Sequence, residues 1–431
     1  MTLRIGLLGC GTVGGGVLKL LKANAASLEA RVGAKLEVAR VLVRDPAKDR
    51  VEELDKKMLT TNASDILDDS SIDIVVEVMG GADAAKSYVE RAIRTKKQVV
   101  TANKMLLAMH GPALVEKARE NNVDLAFEAS VGGGIPIVRV LRDALASDEA
   151  VSIAGIVNGT SNYILTCMQK EGLAFDVALK AAQEKGYAEA DPALDIGGGD
   201  AAHKLVVLAM LAFGARVDHA SVPTDGITAV DAVDHAFADR FGFVVKHLAV
   251  GKKHTDGLEL RVHSSLVPKD TPLANVSGVL NAIAVEGKGL GPCLLSGRGA
   301  GDLPTAVSVV ADVVDVARAK KSGTTGLFSQ ALKLRDQKVR PIERVESRYY
   351  LRFQVLDQPG VLGKITGALG ETGVSIEQLV QQGGGGASGL PVQVVMLTHR
   401  AEEKNVRAAL AAIERQSFVA KPTQLLRVHD G

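Results

Sequence analysis

The sequence predicts an α/β protein in three parts: a doubly wound parallel sheet, an α+β middle and a compact β-α-β-β-α-β tail. Three observations carry this. The first third alternates short apolar runs with helical segments, and a Gly-x-Gly-x-x-Gly turn separates its first strand from its first helix. From about residue 137 the alternation gives way to longer strands, at 243–250, 258–264 and 281–286. The tail reads as strand 349–356, helix 361–371, strands 374–381 and 392–398, helix 401–415 and a last strand near 424–428. That order is the ferredoxin-like split motif, and the glycine-rich stretch 383–389 is expected to be a flexible loop. The expected divisions are 1–132 (completed by about 300–320), 133–299, a charged, irregular linker at 320–347, and 348–431.

In the first part, residues 3–8 form a buried strand, and Gly9-Cys10-Gly11-Thr12-Val13-Gly14 leads directly into a helix. In such a turn Gly9 makes the tight bend and Gly11 lets backbone approach a pyrophosphate. Gly14 lets helix and strand pack closely, while the helix N-terminus attracts the phosphates. This is the Rossmann-type reading of the domain. The second strand, 36–43, ends in Arg44-Asp45. An acid there grips a ribose 2′-hydroxyl and an arginine accommodates a 2′-phosphate, so the residues lean to NADP and leave NAD open. Further βα units follow, with strands at 72–78, 98–101 and 124–128 and helices at 84–94 and near 111–121. Ligands of such sheets bind beyond the strand carboxyl ends, where Lys104 stands.

The most informative segment runs from Glu189 through Asp191, Asp195 and Asp200 to Lys204, and then into the wholly apolar run 205–213. A helix apolar all round is normally buried, and buried charges are costly unless paired or used. Lys204 shares a face with Val207, Leu208 and Leu211, and Asp200 lies one turn earlier. This is where chemistry is expected; the plainer alternative is an Asp–Lys pair that only orients the helix.

Two other glycine-rich runs stand out. Glu128-Ala-Ser-Val131-Gly-Gly133-Gly-Ile135-Pro136 leaves the first sheet, and could turn several carbonyls towards one hard cation. From the residues alone a hinge is the favoured reading. The run 297–305, followed by a long helix to about residue 319, could close on the cofactor opposite Gly9–Gly14, with the helix packing back on the first domain.

Composition is that of a soluble globular chain: 431 residues, 46% hydrophobic, 23% charged and net charge +1, which gives no electrostatic case for nucleic acid or anionic membrane. Cys10, Cys167 and Cys293 are scattered without metal spacing, as in a reducing compartment. The first residues enter a strand with no secretory leader, and no apolar run reaches membrane-spanning length. A cytoplasmic location is expected.

Taken together, these motifs make the chain resemble homoserine dehydrogenases that carry a C-terminal ACT domain. The resemblance spans essentially the whole length. It rests on the Gly9–Gly14 turn, Thr101-Ala-Asn-Lys104, the 128–136 run, 155–163 (Gly-Ile-Val-Asn-Gly-Thr-Ser-Asn-Tyr), 186–192 (Gly-Tyr-Ala-Glu-Ala-Asp-Pro) and 195–204. The tail opens with Asp357-Gln-Pro-Gly-Val-Leu362, as ACT domains do. With no aspartate-kinase domain ahead of it, the chain resembles the monofunctional form.

The resemblance implies NAD(P)-linked interconversion of aspartate 4-semialdehyde and L-homoserine, in the branch leading to threonine, isoleucine and methionine. It makes Lys204 the proton donor to the carbonyl oxygen, with Lys104 the rival for that role and a contact of cofactor and substrate. It gives substrate binding to Glu189, Asp200, Asp195, Thr160 and Tyr187. Cofactor contacts fall to Gly9, Gly11, Thr12, Val13, Gly14, Arg44, Lys104, Gly186 and Gly301. It also implies a structural sodium on main-chain carbonyls of Glu128, Val131, Gly133 and Ile135, in place of the hinge. Threonine is the implied effector of the ACT domain, and a homodimer or homotetramer the implied assembly. A rival, aspartate-semialdehyde dehydrogenase, needs a nucleophilic cysteine, which neither Cys10 in the phosphate turn nor Cys167 in an apolar helix suits. A non-catalytic nucleotide and amino-acid sensor on the same fold is the other alternative.

Overall fold

The computed structural model describes residues 1–382 and 391–430; the glycine-rich loop read at 383–389 lies outside the described residues. The chain forms two compact units. One comprises Met1–Ile153, Ala202–Ser221 and Leu280–Gln337, and the other Ala154–Ala201, Val222–Val279 and Lys338–Gly431.

The first unit is built on a six-stranded sheet in the order Leu59–Thr60, Lys35–Leu42, Thr2–Leu8, Ile74–Glu77, Gln98–Thr101, Leu125–Ala126. Every neighbouring pair is parallel. The order reverses beside Thr2–Leu8, which creates the crevice where doubly wound sheets bind ligands. Leu3, Ile5 and Leu7 are fully buried against Val17 and Leu21 of helix Thr12–Ala23 and Val309, Val313 and Val316 of helix Asp302–Ser322. The late helix thus packs into the first core, as expected. Gly16 makes this possible: a Cβ there would sit 2.6 Å from the Asp302 carbonyl and 2.9 Å from the Ala306 methyl.

An antiparallel hairpin, Leu280–Gly287 with Gly291–Arg298, also belongs to this unit. Gly297, expected to open a glycine-rich turn, instead lies in the second strand of this hairpin and pairs with Asn281. The stretch 320–347, expected to be irregular, carries the end of helix Asp302–Ser322, helix Leu327–Ala331 and the short strands Arg335–Asp336 and Glu346–Ser347.

The second unit is organised around a long antiparallel hairpin, Phe243–His254 with Gly257–Pro268. The tail has the expected order of elements: Tyr349–Leu356, helix Val361–Glu371, Ile376–Gln382, Pro391–Thr398, helix Glu403–Ile413 and Val419–Val428. Tyr349–Leu356 pairs antiparallel with both Val419–Val428 and Pro391–Thr398. The tail is not a bead on a string. Ser265 and Leu266 pair in parallel with Arg427 and Val428, so its sheet continues the long hairpin. Asp234, in the capping box of helix Ala232–Arg240, ties the two together by accepting from Tyr350 Oη at 2.8 Å and Arg352 Nε at 2.6 Å.

Candidate active site

In the first unit, the turn after Thr2–Leu8 behaves as its glycines require. Gly9 has a φ of +99°, and a Cβ on it would meet the Val78 carbonyl at 3.0 Å. A Cβ on Gly14 would collide with the Gly9 carbonyl, whereas one on Gly11 would meet nothing within 4 Å. Open space therefore lies at the one glycine where a phosphate has to approach. Helix Thr12–Ala23 begins there without a side-chain cap, so the N–H groups of its first turn are available to an anion. Beside it opens a cleft of about 610 Å³ lined by Gly9, Gly11, Arg44, Lys48 and Arg50. The Asp45 carboxylate accepts from Ala47 N at 2.8 Å, within its own turn, and its carbonyl accepts from Arg50. Three cations thus gather at the tip of the second strand. Arg44 is the cation expected there from the sequence, and Lys48 and Arg50 follow it closely along the chain.

Lys104 is the first residue of helix Lys104–Glu120, immediately beyond strand Gln98–Thr101. Its position is set by a hub that the sequence reading missed. The Glu77 carboxylate, fully buried at the end of its strand, accepts from Thr101 Oγ1 at 2.6 Å and Met79 N at 2.8 Å. Asn103 accepts from Leu106 N, capping the Lys104 helix, and donates to the Gly81 carbonyl at 2.6 Å. Burial pushes the Glu77 carboxyl above its ordinary pKa, while the hydrogen bonds it accepts pull it back. The signal was a lone glutamate closing an otherwise apolar strand.

Gly132 and Gly133 both adopt left-handed backbone, with φ of +71° and +56°. A Cβ on Gly133 would strike the Gly299 carbonyl, and Gly134 N donates to the Arg298 carbonyl at 3.1 Å. The two glycine-rich runs therefore pack against each other. The Gly133 carbonyl accepts from Ser308 Oγ at 2.7 Å and the Ile135 carbonyl from Ile137 N at 2.8 Å, which leaves each a second lone pair. The Glu128 carboxylate is engaged by Val138 N and Arg139 N, both at 2.9 Å. Main-chain oxygens are thus the ligands this turn can offer, a set suited to a hard cation. Gly301, with φ of +124°, caps helix Asp302–Ser322.

The second unit gathers the acidic residues. Asn158 caps helix Gly159–Glu171 by accepting from Ser161 N at 2.8 Å. Its side-chain amide donates to both Asp195 Oδ1 and Asp200 Oδ2, each at 2.8 Å. Ser161 Oγ donates to the Asp195 carbonyl at 3.0 Å, and Thr160 Oγ1 to the Tyr187 carbonyl at 2.6 Å. Tyr187 meets Tyr163 edge-on, with ring centroids 5.0 Å apart. Asp195, Asp200, Thr160 and Tyr187 are thereby held around one helix N-terminus. Gly186 (φ +72°) and Glu189 lie on the exposed stretch that follows helix Phe175–Glu184.

Helix Gly199–Ala212 carries Asp200 and Lys204 four residues apart, hence on one face, and both are buried at 2% and 8% exposure. Residues 201–210 are all buried, so this lysine stands in an apolar helix without a solvated side.

Three family models match the chain: homoserine dehydrogenase, NAD binding domain, over 9–128; homoserine dehydrogenase over 136–314; and ACT domain over 349–418. The homoserine dehydrogenase of Pseudomonas aeruginosa is 42% identical over 429 residues, covering 99% of this chain and 98% of that one. The crystal structure of a homoserine dehydrogenase from Thiobacillus denitrificans superposes with a TM-score of 0.94 at 42% identity, covering 100% of this chain and 99% of the other. A hyperthermophilic archaeal homoserine dehydrogenase in complex with NADPH matches with a TM-score of 0.63 at 27% identity, covering 73% of this chain and 98% of that one. A Rossmann-type sheet, a mixed-sheet domain and a terminal ACT domain, matched end to end by such relatives, make this chain a member of the homoserine dehydrogenase family of oxidoreductases.

Proposed function

We propose that the chain interconverts aspartate 4-semialdehyde and L-homoserine with NADP as its preferred cofactor, in the biosynthetic branch that leads to threonine, isoleucine and methionine. The observation that carries the reading is Asn158 holding Asp195 and Asp200 on one amide, with Lys204 one helical turn beyond Asp200.

Carbonyl reduction needs a hydride on carbon and an acid for the forming alkoxide. When bound, the reduced nicotinamide supplies the hydride. Lys204 Nζ gives its proton to the carbonyl oxygen and takes it back when homoserine is oxidised, while Lys104 contacts cofactor and substrate. Asp200 and Glu189 hold the substrate's ammonium and hydroxyl region; Asp195, Thr160 and Tyr187 shape the pocket. Gly9, Gly11, Thr12, Val13 and Gly14 cradle the pyrophosphate, with Gly186 and Gly301 as further contacts. Arg44, supported by Lys48 and Arg50, favours a 2′-phosphate over the bare hydroxyl. NADPH in the archaeal relative is in keeping with that preference. The carbonyls of Glu128, Val131, Gly133 and Ile135 would hold a sodium ion as a structural brace.

The division at 1–132, 133–299 and 348–431, completed by 300–320 and joined through 320–347, goes with these roles. The ACT domain serves as the sensor for threonine as feedback inhibitor, in a homodimer or homotetramer working in the cytoplasm. Among the described residues, no helix is long and apolar enough to cross a membrane.

The test is the absorbance of reduced nicotinamide with homoserine, using NADP and NAD in turn. Turnover favouring NADP, lost by about a hundredfold or more in Lys204→Ala, is expected. Cofactor binding without turnover would leave only the sensor.

A further inference from the structure

Asn281, in strand Leu280–Gly287 of the first unit, is 1% exposed, and its Oδ1 has no hydrogen-bond partner among the described residues. An unmet acceptor is an unfavourable way to fill an interior, and a leucine with the same number of side-chain atoms avoids that penalty. Stability of the fold therefore gives no reason for an asparagine here. The reason lies in what its carboxamide touches. Gly299, two residues beyond the strand partner Gly297, packs directly on it. A Cβ on Gly299 would fall inside the carboxamide, with Asn281 Nδ2, Cγ and Oδ1 as its three nearest atoms. Only a glycine leaves room for the planar group beneath the main chain.

The same turn meets two other elements. The Gly299 carbonyl abuts Gly133, and Gly134 N donates to the Arg298 carbonyl at 3.1 Å. Gly301 then opens helix Asp302–Ser322, which has no side-chain cap. The start of that helix lies against Gly16, where a Cβ would come 2.6 Å from the Asp302 carbonyl. Gly16 follows Thr12 by four residues, so the contact is about 6 Å along the helix that leaves the Gly9–Gly14 turn. The sheet fixes which side of the crevice this is. Arg44 follows strand Lys35–Leu42 on one side of Thr2–Leu8, whereas Gly132–Gly134 follow Leu125–Ala126 on the other. A dinucleotide laid across such a crevice puts its adenosine ribose at the end of the second strand and its other half opposite. The turn 299–301, packed on Gly133, is therefore on the nicotinamide side.

We propose that Asn281 is a positioning residue for the nicotinamide half of the nucleotide: its carboxamide is the seat that sets turn 299–301, and the turn so set receives that half. Asn281 acts through Gly299 and does not itself touch the nucleotide. A glycine-rich turn has little stiffness of its own. A seat that holds it in the bound position spares the nucleotide the entropy of ordering it. The inference deepens the reading of the chain as an NADP-linked dehydrogenase with Gly301 at the cofactor, and rests on it.

The test is a swap of volume between the two residues, read by the fluorescence of NADPH bound to the full chain. Gly299→Ala drives a methyl into the carboxamide, and Asn281→Ala leaves the turn without its seat. In the double variant the methyl at 299 takes the space that the carboxamide gave up. The backbone of Gly299 lies outside the left-handed region, so an alanine is accepted there once the space is free. Each single variant is expected to bind NADPH about tenfold more weakly, and the double variant within about threefold of wild type, because the effects of touching residues do not add. Adenosine 2′,5′-bisphosphate, which carries the adenosine half alone, should bind wild type and variants alike. Thermal melts check folding, and Asn281→Ser, a milder truncation, replaces Asn281→Ala if the latter does not fold. The proposal is overturned if the single variants bind NADPH as wild type does, if the losses add in the double variant, or if the bisphosphate weakens in step with NADPH. Homoserine turnover reads the enzyme assignment separately: wild-type turnover with any of those three results sinks the seat alone, and NADPH binding that follows the swap without turnover sinks the enzyme alone.

Discussion

Asn158 donates to Asp200 at 2.8 Å through the same amide that donates to Asp195 at 2.8 Å. Two carboxylates brought to one nitrogen repel each other, and the amide gives each of them a hydrogen-bond donor. Asn158→Asp removes the donor and adds a third negative charge at the same point. Homoserine oxidation in that variant is expected to fall by about a hundredfold or more, with a lower melting temperature, because charged hydrogen bonds of this kind contribute about 1.5–3 kcal/mol each. Asn158→Ser, which keeps a donor and a helix cap, should recover part of the loss. Activity near wild type in Asn158→Asp would mean that the two aspartates do not act as a pair.

How much of this was legible follows from where each interaction lies along the chain. The parallel sheet and its glycine turn could be read because strand, glycines and helix are contiguous, and Gly9 and Gly14 each have a local steric reason. The burial of Lys204 could be read because one uninterrupted run, 205–213, has no polar face. The Asn158 clamp could not: its partners lie 37 and 42 residues away, and an asparagine ahead of a helix is already explained as a cap. Glu77 was hidden in the same way, since its partners Thr101 and Asn103 arrive from the next βα unit. Gly291–Arg298 alternates half-buried and exposed positions, without the fully buried face that marks a strand, and its glycines read as turn. The parallel pairing of Ser265 and Leu266 with Arg427 and Val428 could not be read either, because the two strands lie more than a hundred residues apart in the chain.

Glu77 carries the next prediction. It bridges the Met79–Gly81 turn, which borders the cleft beside Gly9 and Gly11, and the Asn103 cap of the Lys104 helix. Glu77→Ala leaves Met79 N and the Asn103 amide short of an acceptor and opens a void, at a cost of about 2–5 kcal/mol in denaturant unfolding. Glu77→Gln keeps one acceptor oxygen and the volume. It should stay folded and raise the KM for the nucleotide several-fold while kcat changes less. An unchanged nucleotide KM with only a lower melting temperature would reduce Glu77 to a purely structural role.

The cofactor preference should respond to the cations at the end of the second strand. Arg44, Lys48 and Arg50 line the cleft, and the Asp45 carboxylate is occupied by Ala47 N within its own turn. Arg44→Ala is expected to raise the KM for NADP by about tenfold and to leave that for NAD nearly unchanged, because only the 2′-phosphate needs the guanidinium. Adding Lys48→Ala should widen the gap further. Equal losses with both nucleotides would show that these cations serve the pyrophosphate instead.

The last prediction concerns acid stability. His235, in helix Ala232–Arg240, is 6% exposed, and neither ring nitrogen has a hydrogen-bond partner among the described residues. Burial lowers its pKa to about 4; the nearby Lys246 cation works in the same direction, and the Asp234 and Asp231 carboxylates oppose it. A base whose folded pKa lies below its unfolded value of 6.5 is held neutral by the fold. Above pH 6.5 neither state takes up the proton and the full stability is present. As pH falls from 6.5 towards 4 the unfolded chain binds the proton first, and about 3 kcal/mol is lost across that window. Denaturant titrations of wild type and His235→Leu at pH 7 and pH 5 test this. The variant should lose about 2 kcal/mol less than wild type between the two, since His429, lowered to about 4 in the same way, is present in both chains and cancels. Parallel losses would mean that the ring finds a way to its proton in the folded protein.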